Sequence, residues 1–280
     1  MIIDFHTHIF PPEMREHRDA YLRRDPTFAE MYASPRAKIA TAEDLLASME
    51  ASGVDISVAL GFAWREQELI ERHNDYLLES AAKSDGRIIA FATVNPAAEG
   101  WQREVQRCAA AGAKGLGELR PESQGWDLNG EPGQCLAKLA TTNDLILLFH
   151  VTEPTDGREY AGKGGLTLDS FYRFSSAHPQ LKTVGAHLGG GLPFFLPRED
   201  LANVCHVFID TAARRWLYTV DRYREVFNLV SPQRVLLGSD FPLVAQDKEI
   251  EMARADSTDK SQAELVLGQN ARRLLRISPL

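Results

Sequence analysis

The chain has 280 residues, 44% hydrophobic and 25% charged, the profile of a globular protein with ample material for a core. Its net charge of −8 speaks against general nucleic-acid or anionic-membrane binding, which favours a basic surface. Three scattered cysteines, Cys108, Cys135 and Cys205, form no CxxC pair, as expected of reduced thiols. No leader precedes the first strand and no uncharged apolar stretch has transmembrane length, so a soluble cytoplasmic protein is expected.

The first eight residues, Met1-Ile2-Ile3-Asp4-Phe5-His6-Thr7-His8, read as a strand. Strand side chains alternate between faces, so His6 and His8 should share one face with Asp4 below them. Two imidazoles so placed can grip one metal ion, zinc above all. Alone, His-X-His is a weak signal, read more simply as an ordinary strand with two partly buried histidines.

Seven further apolar runs follow: Val54–Leu60, Ile88–Val94, Lys114–Leu119, Leu145–His150, Leu181–His187, Val204–Asp210 and Arg234–Asp240. Several are continuously apolar, as parallel strands covered on both faces should be. Helical patterns separate them at Ala42–Ala51, Glu66–Ala82, Trp101–Ala111, Gln134–Thr142, Leu168–Ala177, Leu217–Leu229 and Gln262–Leu275. Thr41-Ala42-Glu43-Asp44 resembles a capping box, and Gly53 and Gly112 sit where helices should stop. Eight strand–helix units in one uninterrupted chain predict a single-domain (β/α)8 TIM barrel over 1–280. The long insertion Ile9–Ala40 follows the first strand, so it lies at the catalytic mouth, either as a lid with some helix or as a surface loop.

Chemistry in such barrels gathers at the C-terminal strand ends. There the chain places His6 and His8, then Glu118, His150, His187 and Asp240. Six ligand-capable side chains at equivalent strand ends point to a metal site. With an open coordination position, a cation held by imidazoles and carboxylates would generate hydroxide at neutral pH, and a neighbouring carboxylate such as Asp240 could move its proton.

Here the sequence resembles the amidohydrolase superfamily of metal-dependent barrels, in particular the amidohydrolase-related branch of hydrolases and non-oxidative decarboxylases. The resemblance is carried by Asp4-Phe5-His6-Thr7-His8, His150, Ala186-His187-Leu188-Gly189-Gly190 and Gly238-Ser239-Asp240-Phe241-Pro242, and by the closing Asn270-Ala271-Arg272-Arg273-Leu274-Leu275. It implies that His6, His8 and Asp240 bind a metal, with His150 a further ligand. His187 would ligate a second metal or hydrogen-bond the attacking water, and Asp240 would also be the general base. Many two-metal members carry a bridging carboxylated lysine on a middle strand. In this chain Lys114, which shares the parity of Glu118, would sit about 13 Å too low. Glu118 is at the right height to bridge two cations, as a glutamate does in TatD-like nucleases; otherwise it binds Arg120 or substrate.

Arg120, Trp64, Arg158 and Arg214 are the expected substrate contacts, among mouth residues that also include Arg65, Trp126, Tyr160, Arg215 and Trp216. They suit a small anionic substrate with an apolar or aromatic part. His178 and His206 read as structural, His73 as a surface histidine and His17 as a remote substrate contact. Gly189-Gly190-Gly191 should let the loop bend tightly beside His187.

The leading expectation is a metal-dependent hydrolase of a small amide, ester or lactone, with two zinc ions if Glu118 is a ligand and one if it is not. The alternatives are a one-zinc decarboxylase of an aromatic or unsaturated acid, a TatD-like phosphodiesterase, and a non-enzymatic binding protein on the same scaffold. The partner expected is a small-molecule substrate, with neither nucleic acid nor membrane; a homo-oligomer is left open.

Overall fold

The structure is a computed structural model that describes residues 1–152 and 160–278, with 220–223 described through their backbone. Eight parallel strands pair in sequence order: β1 Ile3–His8, β2 Ile56–Leu60, β3 Ile88–Ala92, β4 Gly115–Leu119, β5 Ile146–Phe149, β6 Lys182–Gly185, β7 Phe208–Asp210 and β8 Val235–Leu236. The segment after β8 returns to β1 through Phe5 N–H to Leu237 O at 2.7 Å, Asp240 N–H to His6 O at 2.8 Å and His8 N–H to Phe241 O at 2.7 Å. These bonds complete the ring. The fold is a TIM barrel in one domain, as the alternating pattern implies.

The apolar side chains divide between two layers. Ile3, Phe5, Val58, Leu60, Phe91, Ile146, Leu148, Val184 and Leu236 pack together inside the barrel. Ala59, Leu116, Leu119, Leu147, Phe149, Ile209 and Val235 pack outward against helices. The cap of helix Ala42–Ser52 forms as its sequence suggests. Thr41 N–H donates to Asp44 at 2.9 Å, Asp44 N–H donates back to the Thr41 hydroxyl at 3.4 Å, and Gly53 ends the helix at φ 72°.

The insertion after β1 folds as three short helices, Pro12–Glu16, Arg18–Arg24 and Pro26–Tyr32. Phe10, Met14, Tyr21, Phe28, Tyr32 and Ile39 pack with Phe62, Trp64, Leu69 and Ile70 as a core of their own. Of the two readings the sequence allows, the packed cap is the one adopted.

Several boundaries differ from the sequence reading. β7 begins at Phe208, because 204–206 form a turn after the helix Arg198–Asn203, closed by Val207 N–H donating to Val204 O at 3.0 Å. The single helix expected over Leu217–Leu229 is two, Arg214–Leu217 and Val220–Leu229. The last helix is interrupted by a wider turn at Leu265–Gln269.

Candidate metal centre

Two bulges aim the candidate ligands. Between Asp4 and Thr7, β1 advances three residues while its partner β2 advances two, from Ser57 to Ala59. The extra residue breaks the alternation. Phe5 stays inside the barrel and His6 turns into its mouth, whereas Asp4 faces the helix layer and accepts from the Gln246 amide at 2.8 Å. The expectation that Asp4 shares a face with His6 is thereby corrected.

β4 repeats the device. It advances from Leu116 to Leu119 while β5 advances from Leu147 to Phe149. Leu116 and Leu119 both pack outward and Glu118 swings inward. Lys114, for which strict alternation predicts the same face, is exposed on the protein surface. Gly117 allows this approach, since a Cβ there would lie 2.8 Å from the Leu148 Cβ.

After β6 the chain turns left-handed, with φ of 60° at His187, 56° at Leu188, 64° at Gly189 and Gly190, and 78° at Gly191. A Cβ on Gly190 would come within 2.6 Å of Val151 Cγ1. The glycines thus give the tight bend expected of them. They let the turn pack against β5 with the His187 ring directed inward, towards His150.

The six predicted ligands converge. His6 Nε2 lies 3.1 Å from His8 Nε2, and Asp240 Oδ1 is 3.7 and 3.4 Å from these two nitrogens. Glu118 spans to a second group. Its Oε2 is 3.9 Å from His6 Nε2 and 3.6 Å from His8 Nε2. Its Oε1 is 2.8 Å from His150 Nδ1 and 3.3 Å from His187 Nε2, and those nitrogens are 3.2 Å apart. Bonds of 2.0–2.2 Å to a tetrahedral ion separate donors by roughly 3.3–3.6 Å. The spacing of both groups is close to that.

The ring protons support the same fit. His6 Nδ1–H donates to Asp210 Oδ2 at 2.8 Å, which leaves Nε2 with its lone pair towards the centre. His187 Nδ1–H donates to Ala212 O at 3.1 Å, with the same consequence. A hydrogen bond behind the imidazole is the usual arrangement for a metal-binding histidine, and His6 and His187 have it, whereas His8 Nδ1 is buried without one. Electrostatics agree. Burial opposes charge on His6, but Asp210, Glu118 and Asp240 outweigh it and push its pKa up to about 10. Burial likewise opposes charge on His187, yet hydrogen bonding and proximity to Glu118 raise it. For Glu118, burial is overcome by His150 and His6, which hold the carboxyl well below its usual range. His8 and His150 are lowered, chiefly by burial, His150 to about 4. The cluster therefore stabilises positive charge at its middle, and its mixed imidazole–carboxylate donors suit a divalent cation.

Asp210 is absent from the sequence-based set. Buried at the end of β7, it accepts from His6, from His187 N–H at 2.9 Å and from Ala212 N–H at 3.1 Å. Its position at a strand end was the available signal.

A cavity of about 520 Å³ opens beside the centre, with His150, His187 and Asp240 in its lining. Of the expected substrate contacts, Trp64, Arg214 and Arg120 do not themselves line it. Trp64 is fully buried in the cap, stacked on Phe28 with centroids 5.0 Å apart, and its indole N–H donates to His73 Nδ1 at 3.0 Å. Arg214 is a buried ion-pair partner, 2.8 Å from Glu249 and 3.0 Å from Asp256. Arg120 is also buried, giving its guanidinium to Gly162 O at 3.0 Å and Met31 Sδ at 3.3 Å. Arg158 lies outside the described residues. His73 is not a surface histidine: its Nε2–H donates to Ile9 O at 2.7 Å, its ring stacks on Phe10, and burial lowers its pKa to about 4. His17 is exposed on the cap, and His206 donates to Ser175 O at 3.1 Å.

A sequence model of the amidohydrolase family matches residues 3–277. The chain belongs to the amidohydrolase family. No curated protein matches it. Among solved structures it is similar to the 5-carboxyvanillate decarboxylase of Novosphingobium aromaticivorans in complex with manganese and 4-hydroxy-3-methoxy-5-nitrobenzoic acid. The TM-score is 0.81 at 18% identity, over 99% of this chain and 96% of that one. The 2,6-dihydroxybenzoate decarboxylase from Rhizobium gives 0.73 at 19% identity, over 99% and 98%. A structure described as amidohydrolase II gives 0.75 at 20%, over 99% and 100%. At such identities the likeness establishes the shared barrel, on which the amidohydrolase family hosts more than one chemistry. Among the described residues no helix is long and apolar enough to cross a membrane.

Proposed function

We propose that this amidohydrolase-family protein is a metal-dependent hydrolase of a small amide, ester or lactone, with His6, His8, Asp240, Glu118, His150 and His187 as its ligands. The observation that carries the reading is Glu118. One carboxylate offers Oε2 to the His6–His8 side and Oε1 to the His150–His187 side, the placement needed to bridge two cations. Zinc is the ion we propose, because four of the six ligands are imidazoles, although manganese also accepts carboxylate and imidazole donors. When bound, such an ion supplies a Lewis acid that brings the pKa of water from about 15.7 towards 7 and polarises a carbonyl oxygen.

The remaining tasks fall to side chains. Asp240 borders the cavity with 15% of its side chain exposed, so it can take a proton from water and hand it to the leaving group. Asp210 and Ala212 fix the tautomers of His6 and His187 from behind. Asp4 accepts from Ser239 N–H at 2.9 Å and from Gln246, and so holds the backbone beside Asp240. The cap helix Pro26–Tyr32 contributes Met31 to the cavity wall.

Decarboxylation of an aromatic acid is the second reading. It is favoured by the names of two of the similar structures and by the apolar walls of the cavity. The test is incubation in 18O-water with amides, esters and lactones, alongside aromatic acids assayed for carbon dioxide. One 18O atom in a product acid supports hydrolysis. Carbon dioxide release without 18O uptake into the organic product would replace it with the second reading.

A further inference from the structure

Asp240 sits in a backbone conformation that an L-residue adopts only at a cost. Its φ is 59°, in the left-handed region, and such a residue persists where its surroundings over-determine it. Asp240 N–H donates to His6 O at 2.8 Å, and Leu243 N–H donates to Asp240 O at 2.7 Å. The peptides on either side are held through Ser239. Its N–H donates to Asp4 Oδ1 at 2.9 Å and its hydroxyl donates to Asp4 Oδ2 at 2.5 Å. The same hydroxyl accepts from Phe241 N–H at 3.0 Å. Both flanks of Asp240 thus depend on where the Asp4 carboxylate lies.

Asp4 is placed in turn by Gln246. This residue opens the helix Gln246–Asp256 outside the barrel and is 1% exposed. Its NH2 donates to Asp4 Oδ2 at 2.8 Å and to the Ser57 hydroxyl at 3.0 Å, while its Oε1 accepts from the Ser48 hydroxyl at 2.8 Å. A carboxylate only accepts, so the amide must turn its NH2 to Asp4. One buried side chain therefore ties together β1, β2, the helix Ala42–Ser52 and, through Asp4 and Ser239, the loop after β8. Well-packed apolar groups would fasten the helix to the barrel as firmly as this polar network does. What directional bonds add is a fixed orientation for the peptides beside Asp240.

We propose that Gln246 is a positioning residue for the metal centre. Acting through Asp4 and Ser239, it sets the direction in which the Asp240 carboxylate leaves the backbone, although Gln246 itself does not line the cavity. The inference rests on reading Asp240 as a metal ligand and proton carrier. Partners behind a ligand govern metal affinity in the same way when they act on its side chain; here the hold is on its backbone.

Cobalt(II) reports the arrangement of its ligands by visible absorption, without turnover. Native protein, Gln246→Leu and Ser239→Ala are titrated with cobalt(II) chloride, beside Asn270→Ala as a control. Asn270 is as deeply buried and bonds Pro232 O at 2.8 Å and Val235 O at 2.7 Å, away from Asp240. Gln246→Leu and Ser239→Ala should each bind cobalt about tenfold more weakly and with altered ligand-field bands. Asn270→Ala should lower Tm and keep the native affinity and spectrum. Should Gln246→Leu fail to fold by circular dichroism, Ser239→Ala, which removes a single hydroxyl, decides. Native affinity and bands in the folded variants, or an equal change in Asn270→Ala, would overturn the proposal. A native protein that takes up no cobalt would overturn the metal reading instead. Hydrogen exchange of segment 238–243 then decides the positioning: faster exchange in Ser239→Ala than in Asn270→Ala supports it, and equal exchange overturns it.

Discussion

Replacing Asp210 by asparagine changes one oxygen to an amide nitrogen and leaves the shape intact. In the native protein Oδ2 accepts from His6 Nδ1 at 2.8 Å, while Oδ1 accepts from His187 N–H at 2.9 Å and Ala212 N–H at 3.1 Å. Asparagine has one acceptor. If its oxygen serves the two backbone N–H groups, its NH2 faces His6 Nδ1, which must then accept. The imidazole proton moves to Nε2, the atom that lies 3.1 Å from His8 Nε2, and ligation through that atom is blocked. If the amide flips, two buried backbone donors lose their acceptor. Either way one charge-assisted bond is lost, about 1.5–3 kcal/mol, consistent with the roughly 10–100-fold loss of metal affinity that removal of such a partner causes. Competition for zinc against a chromophoric chelator measures it directly. A D210N protein that folds and binds zinc within about twofold of wild type would refute the tautomer argument.

Three further perturbations follow from buried groups. His73 has its pKa lowered to about 4 by burial, against about 6.5 unfolded. Between these values the unfolded state binds the extra proton, so its contribution is complete above pH 6.5 and falls by about 3 kcal/mol as pH drops to 4. Urea midpoints should show that slope, to which His150 adds a like contribution, and H73Q should reduce it; an unchanged slope would contradict the assignment. Arg214→Met strands Glu249 and Asp256 in the interior and should cost about 3–5 kcal/mol, read as a large drop in Tm; a Tm near that of wild type would return Arg214 to the substrate. Trp64→Ala empties the middle of the cap cluster and should cost about 3–5 kcal/mol, with metal content unchanged. A loss of substrate affinity at undiminished stability would contradict that placement.

The barrel was legible because runs such as Ile146–Phe149 are apolar on both faces and could be little else than parallel strands. The candidate ligands were legible as a cluster because each interrupts an apolar run at its C-terminal end, and the structure brings them together. Strict alternation misplaced Asp4 and paired Lys114 with Glu118, since a bulge leaves no mark in the apolar pattern except the glycines of Gly115-Leu116-Gly117. His73 was read from its charged neighbours Glu71, Arg72 and Asp75. Yet Leu69, Ile70, His73, Asn74 and Leu77 follow the helical repeat and form the buried face. Arg214 was out of reach for another reason. Its carboxylate partners come from a helix about 35–42 residues later, and no local pattern joins them.

The proposed two-ion centre bridged by Glu118 is tested most directly by metal content per chain. Elemental analysis of metal-replete native protein and of the Glu118→Ala variant should give near two ions and near one. One ion in both forms would take Glu118 out of the centre and favour decarboxylation. No bound ion in either would contradict the metal-enzyme reading altogether.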